Sequence, residues 1–298
     1  MENVIIITRQ LLIMFIYMLV GAFMFKKNLI TREGSRTLAN ILVYLCLPCV
    51  LLNSFATEYT AEKASALVVS LGIGALATVI SIGLSVLLIK DRMDAFGSMV
   101  PNAGFMGLPL VSALLGTEAV LYVAAYIAIL NGFQATYGRA YVSGRKELFT
   151  PKAIASNPII IAFAASLALF FLRIPLPSIL KTPVSAIASM NAPLAMLIIG
   201  VYLAQADIKS MFTEPSLYKT MAVRHLLIPA VTLLAFRLIP DRYAAIRTTI
   251  AVCAACPVGS NLAVYAQQLD LDYTYAVKVV VLSTLLSLVT LPAVMFFV

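Results

Sequence analysis

The residues best suited to hold a small ligand in this chain are two asparagines, Asn102 and Asn261, each close to a proline and a glycine: Pro101 and Gly104 for the first, Pro257 and Gly259 for the second. A side-chain amide offers two N–H donors and a carbonyl acceptor, enough to orient a polar ligand. Residues 100–109 place two prolines, two glycines and one asparagine inside an apolar run. Pro101 removes a backbone donor and clashes with the preceding turn, and Gly104 and Gly107 let the chain leave helical geometry, so the helix is expected to break here. Residues 256–261, Cys-Pro-Val-Gly-Ser-Asn, make a second break of the same kind. Where a helix restarts in a low-dielectric interior, its first N–H groups lack partners and its positive dipole end favours an anion. Asn131, Gln134 and Tyr137 form a further polar stripe at three-residue spacing, which either faces the same cavity or joins helices.

Other chemistries find little support. There is no G-x-S-x-G, no H-E-x-x-H and one histidine, so no hydrolytic constellation is present and no catalytic residue is assigned. The thirteen acidic residues all fall at or near the ends of apolar runs, which argues against a buried carboxylate relay and against paired intramembrane aspartates. The four cysteines form two C-x-x-C pairs, Cys46/Cys49 and Cys253/Cys256. Both lie inside apolar runs beside a proline, where thiolates around a dication would have no loop to arrange them, so no metal site is expected. Arg224, His225 and Lys278 sit deep in their runs. Each could attract an anion, but the expectation is that Arg224 and Lys278 reach to the nearer interface and that His225 is packed and hydrogen-bonded.

The elements that must position these residues follow from composition. Of 298 residues, 62% are hydrophobic and 11% charged, against roughly 25% charged in soluble domains, which makes this an integral membrane protein. Its +8 formal charge lies mainly in short connections, where it sets orientation, and no basic stripe suggests nucleic acid. Runs long enough to cross a bilayer fall at 4–25, 36–56, 64–89, 95–115, 118–138, 153–173, 179–205, 216–239, 244–268 and 274–298. The first has its lysines after it and is expected to be a retained span rather than a signal peptide. The polar piece 139–152 divides the ten runs into a first repeat, 1–138, and a second, 153–298, and an odd number of spans per half inverts one relative to the other. Pro48 and Pro193, and Pro101 and Pro257, occupy corresponding places. Lysines and arginines after the first, third and fifth runs, among them Lys26, Lys27, Arg139, Arg145 and Lys146, place both termini outside the cytoplasm by the positive-inside rule. Small residues at Ser70, Gly74 and Thr78, and at Ser81 and Ser85, mark a face of the third run for close helix packing.

Read together, Asn102 to Pro109 (Asn-Ala-Gly-Phe-Met-Gly-Leu-Pro), the break from Pro257 to Asn261, and Leu45-Cys46-Leu47-Pro48 make the chain resemble the auxin efflux carrier family of permeases, specifically its short prokaryotic members. The resemblance covers essentially the whole length. It implies an all-α polytopic protein with ten transmembrane helices in two inverted five-helix repeats, whose broken fourth and ninth helices cross at the substrate site. It further implies a scaffold carrying a homodimer contact and a moving domain giving elevator-type alternating access in the cell membrane. Carried onto this sequence, the crossing falls on Pro101, Asn102, Gly104, Pro257, Gly259 and Asn261. Unlike the plant members, the chain has no long hydrophilic central loop, which counts against kinase-type regulation and against auxin itself as the physiological substrate; the expected substrate is a small organic anion such as an auxin-like or dicarboxylate acid. Bacterial relatives are associated with malate, malonate and other small carboxylates. The expected partners are a small organic anion and the bilayer, with no cofactor beyond a coupling Na⁺ or H⁺. The alternative is a sodium-coupled symporter of the bile acid type, in which carbonyls and Asn, Ser or Thr oxygens hold sodium without an obligatory carboxylate.

Overall fold

The computed structural model describes residues 2–150, 152, 155–211 and 213–298. In chain order its main helices are α1 (Glu2–Lys26), α2 (Arg32–Phe55), α3 (Ala61–Leu88), α4 (Arg92–Met99), α5 (Ala103–Leu115), α6 (Thr117–Ser143), α7 (Pro158–Phe171), α8 (Ser178–Gln205), α9 (Pro215–Phe236), α10 (Ala244–Ala254), α11 (Asn261–Gln268) and α12 (Tyr273–Val294). Seven of these, α1, α2, α3, α6, α8, α9 and α12, are long and apolar enough to cross a membrane, and α5 and α7 are shorter apolar helices. No strand occurs among the described residues. Polar caps start several helices: the Thr60 hydroxyl accepts from the N–H of Lys63, Asp91 from Met93 and Asp94, and Asn157 from Ile159 and Ile160.

Four turns inside these helices are one residue wider than an α-helical turn, closed by i+5 bonds from Leu47 to Leu42, Leu108 to Ala103, Arg139 to Gln134 and Ile228 to Val223. Three of them are followed directly by a proline, Pro48, Pro109 or Pro229. A proline ring clashes with the carbonyl four residues before it, and widening the turn relieves that clash. The turn at 134–138 has no such proline. Gly104 and Gly107 therefore lie in a widened helical turn, and the chain actually leaves the helix just before it, between Met99 and Ala103.

Helices α1, α2, α7 and α8 pack chiefly with one another. α1 and α8 approach closely because a Cβ at Gly21 would lie 2.2 Å from the Leu197 carbonyl, and one at Gly200 would lie 2.0 Å from that of Met18. The small-residue face of α3 is buried, and Gly74 packs against the Tyr126 ring of α6.

The interruptions between α4 and α5 and between α10 and α11 are joined to each other. The Asn102 N–H donates to the Pro257 carbonyl at 2.8 Å and the Gly259 N–H to the Val100 carbonyl at 2.8 Å, with Pro101 opposite Val258 in an antiparallel bridge. The Val258 N–H donates to Ser283 Oγ of α12 at 2.8 Å. His225 stands behind that hydroxyl, with Nε2 2.8 Å from Ser283 Oγ and Nδ1 2.9 Å from Thr290 Oγ1.

Arg224 does not reach for the interface as expected. It is fully buried, donating to the carbonyls of Ser98 and Ala254, in the last turns of α4 and α10. Those turns carry the negative dipole ends of the two half-helices, so one guanidinium compensates both. Lys278 reaches Glu214, the residue immediately before α9, in an ion pair at 3.2 Å.

Candidate functional site

Beside the joined breaks lies a cavity of about 230 Å³. The crossing supplies Pro101, Asn102, Gly104, Gly259, Ser260 and Asn261; α6 supplies Asn131, Gln134 and Arg139; α2 supplies Asn40, Tyr44 and Leu47; Asn157 and Ile159 close it at the start of α7, and Tyr265 and Gln268 of α11 complete the wall. Asn102, Gly104, Gly259, Asn261, Asn131 and Gln134, the residues singled out for ligand binding, all line it, as does Pro101. Pro257 lies one layer behind, where its carbonyl receives the Asn102 N–H.

The polar groups are linked in a definite pattern. The Asn261 side chain donates to Gln134 Oε1 at 2.7 Å, so the crossing and the α6 stripe form one surface. Asn131 donates to the Ile127 carbonyl of its own helix at 2.9 Å. Asn191 of α8 donates to the Gly104 carbonyl at 2.9 Å, tying the widened turn of α5 to the neighbouring helix group. Two buried donors in the wall have no acceptor among the described residues: Asn102 Nδ2 and Arg139 Nε. A buried donor left without a partner is costly, and it marks a place for an acceptor. The helix starts of α5 and α11 add first-turn N–H groups to the same region. Among the described residues the wall contains one cation, Arg139, and no Asp or Glu.

Tyr137 does not share this surface. It is 45% exposed and stacks on Tyr141, because the widened turn carries it away from Asn131 and Gln134. The same turn brings in Arg139, which sequence reasoning assigned to a connecting segment from 139 onward. Helix α6 continues to Ser143, so Arg139 is helical. The signal for it was weak, since a basic residue five positions beyond Gln134 falls on a different face of a regular helix. Arg224, His225 and Lys278 are absent from the cavity wall. The four cysteines are buried thiols, and a Cβ at Gly107 would come within 2.9 Å of Cys253 Sγ.

A family described as "Membrane transport protein" matches residues 6–152 and residues 140–295 of this sequence. The chain belongs to that family, the auxin efflux carriers. It is therefore a membrane transport protein and not an enzyme. A curated relative from Rhizobium meliloti (strain 1021), named "Putative malonate transporter", is 26% identical over 281 residues, covering 89% of this chain and 87% of that protein. In this member of the auxin efflux carrier family, the amide-rich cavity is built where two interrupted helices hydrogen-bond through their backbones.

Proposed function

We propose that the protein is a secondary carrier for a small organic anion, most simply a short dicarboxylate, bound in the cavity at the crossing. The single observation that carries this reading is the composition of the wall: amides, helix starts and, among the described residues, one arginine and no carboxylate. Among the described residues no carboxylate stands in the wall to charge-balance a cation, whereas two buried donors lack an acceptor. The cavity volume of about 230 Å³ lies below the roughly 300–1,000 Å³ of sites for drug-sized ligands, which suits a small metabolite. The relative's printed name points to the same class of substrate.

The finer architecture is part of this proposal. Ten crossings in two inverted five-helix repeats, with α4/α5 and α10/α11 as the broken helices, fit one interruption in each half and the antiparallel passage of the two breaks. Elevator-type alternating access is supported by the position of the cavity between α2 and the start of α7 on one side and the crossing with α6 on the other. Asn40 and Gln268 of the wall are exposed, and positive-inside reasoning makes the basic connection after α6 cytoplasmic.

The sodium-coupled alternative needs free carbonyls to hold the ion. At the half-helix ends those of Ser98 and Ala254 already receive Arg224, a tethered cation in place of a mobile one. Purified protein in proteoliposomes tests both readings. Saturable [¹⁴C]malonate uptake with countertransport, unchanged by a sodium gradient, is expected. Uptake that requires sodium would favour the symporter, and non-saturating flux would replace a carrier with a channel.

A further inference from the structure

We propose that Arg139 recognises the charge of the transported anion, and that the widened turn 134–138 exists to present it to the cavity; the inference rests on the anion-carrier reading above. In a regular helix successive residues turn by about 100°, so residue 139 would stand about 140° from residue 134, facing away from the amides. The i+5 bond from Arg139 N–H to the Gln134 carbonyl inserts one extra residue into the turn. Arg139 then takes the place of a fourth residue, about 40° from Gln134, inside the roughly 60° sector that Gln134 and Asn131 span. The three side chains form one continuous surface, and all three line the cavity.

The cause of this turn differs from that of the other three. No proline follows it to force the widening. It lies close against α4: a Cβ at Gly138 would come 2.9 Å from the Phe96 ring. The structure thus maintains, without a local covalent reason, a distortion whose effect is to turn a cation into the wall.

The guanidinium is braced but not neutralised. It lies over the Tyr265 ring at 5.6 Å, and among the described residues no carboxylate pairs with it. A cation–π contact consumes no hydrogen-bond donor and leaves the guanidinium N–H groups for a ligand. Its Nε is out of solvent and has no acceptor among the described residues, and Asn102 Nδ2, in the same cavity wall at the crossing, is in the same condition. A carboxylate accepts from Arg in a two-bond fork, and a second carboxylate or carbonyl on the same small molecule would satisfy Asn102. The residue is thus a specificity determinant for anionic over neutral substrates.

The test measures [¹⁴C]malonate transport by purified, reconstituted protein, with wild type, Arg139→Gln, Arg139→Lys and Arg139→Cys. Arg139→Gln is expected to raise KM for malonate at least about tenfold, the usual worth of a charge-assisted bond. Arg139→Lys should fall between it and wild type. Arg139→Cys separates lost charge from lost packing. Treated before reconstitution with the cationic aminoethyl methanethiosulfonate it should recover malonate transport, whereas the anionic sulfonatoethyl reagent should not restore it, and malonate should slow both modifications. Wild-type KM in untreated Arg139→Cys, or equal recovery with either reagent, would overturn the inference while leaving the carrier reading intact. Absence of malonate, succinate and acetate flux through the wild-type protein would overturn the carrier reading, and this inference with it.

Discussion

The side-chain amide of Asn261 donates to Gln134 Oε1 at 2.7 Å, joining residues 127 positions apart, one from the crossing and one from an otherwise separate helix. Because Gln134 is fixed by this bond, its NH₂ end has a defined direction, and the two amides form a single polar unit in the cavity wall. Mutations at the two positions should therefore couple.

Asn261→Ala and Gln134→Ala are each expected to weaken malonate affinity, and the double variant should be less impaired than the sum, with a coupling of about 0.5–3 kcal/mol. Asn102→Ala should weaken binding by about 1.5–3 kcal/mol with little change in Tm, because Asn102 Nδ2 has no protein partner to lose. Transport KM and thermal unfolding of the four variants check this. Additive, independent effects at 134 and 261 would show that the bond does not shape the site.

Arg224→Met is expected to destabilise the fold strongly, by about 3 kcal/mol or more. It leaves the Ser98 and Ala254 carbonyls buried without a donor at two negative helix ends. Arg224→Lys should not rescue it, since a single ammonium lacks the fork that reaches both carbonyls. Thermal unfolding in detergent reads the outcome, and an Arg224→Met protein with wild-type Tm would show that water or lipid substitutes for the guanidinium.

The two glycines of the widened turn in α5 should respond differently. A Cβ at Gly107 meets Cys253 Sγ at 2.9 Å, so Gly107→Ala should cost about 1–3 kcal/mol, partly relieved by adding Cys253→Ala. At Gly104 the nearest atoms to an added Cβ are at 3.6 Å, so Gly104→Ala should fold normally. Its effect should appear in KM, because Gly104 lines the cavity. Equal losses of stability at both positions would contradict the packing described.

Orientation is testable with an impermeant thiol reagent on intact cells. Arg145→Cys, exposed just beyond α6, should be protected from outside and react after permeabilisation. Labelling from outside would invert the protein and place the cavity mouth on the other face of the membrane.

The amino-acid sequence alone determined that this chain is an apolar helical bundle interrupted twice, and where. Those properties are local: hydropathy over about 20 residues fixes a span, and Pro101 and Pro257 disrupt helices wherever they occur. The amides that line the cavity were legible for the same reason, since Asn102 and Asn261 stand immediately beside the breaks. What tertiary structure decided was which groups are left free. Pairing of Asn102 N–H with Pro257, of Asn261 with Gln134 and of Arg224 with two half-helix ends joins residues 30 to 155 positions apart, and no local pattern encodes it. Arg139 and Arg224 make the point most sharply. By sequence one reads as a connecting charge and the other as a residue reaching for the interface. In the fold, a widened turn lying close against Phe96 brings the first into the cavity unpaired, and two carbonyl ends of broken helices fully occupy the second.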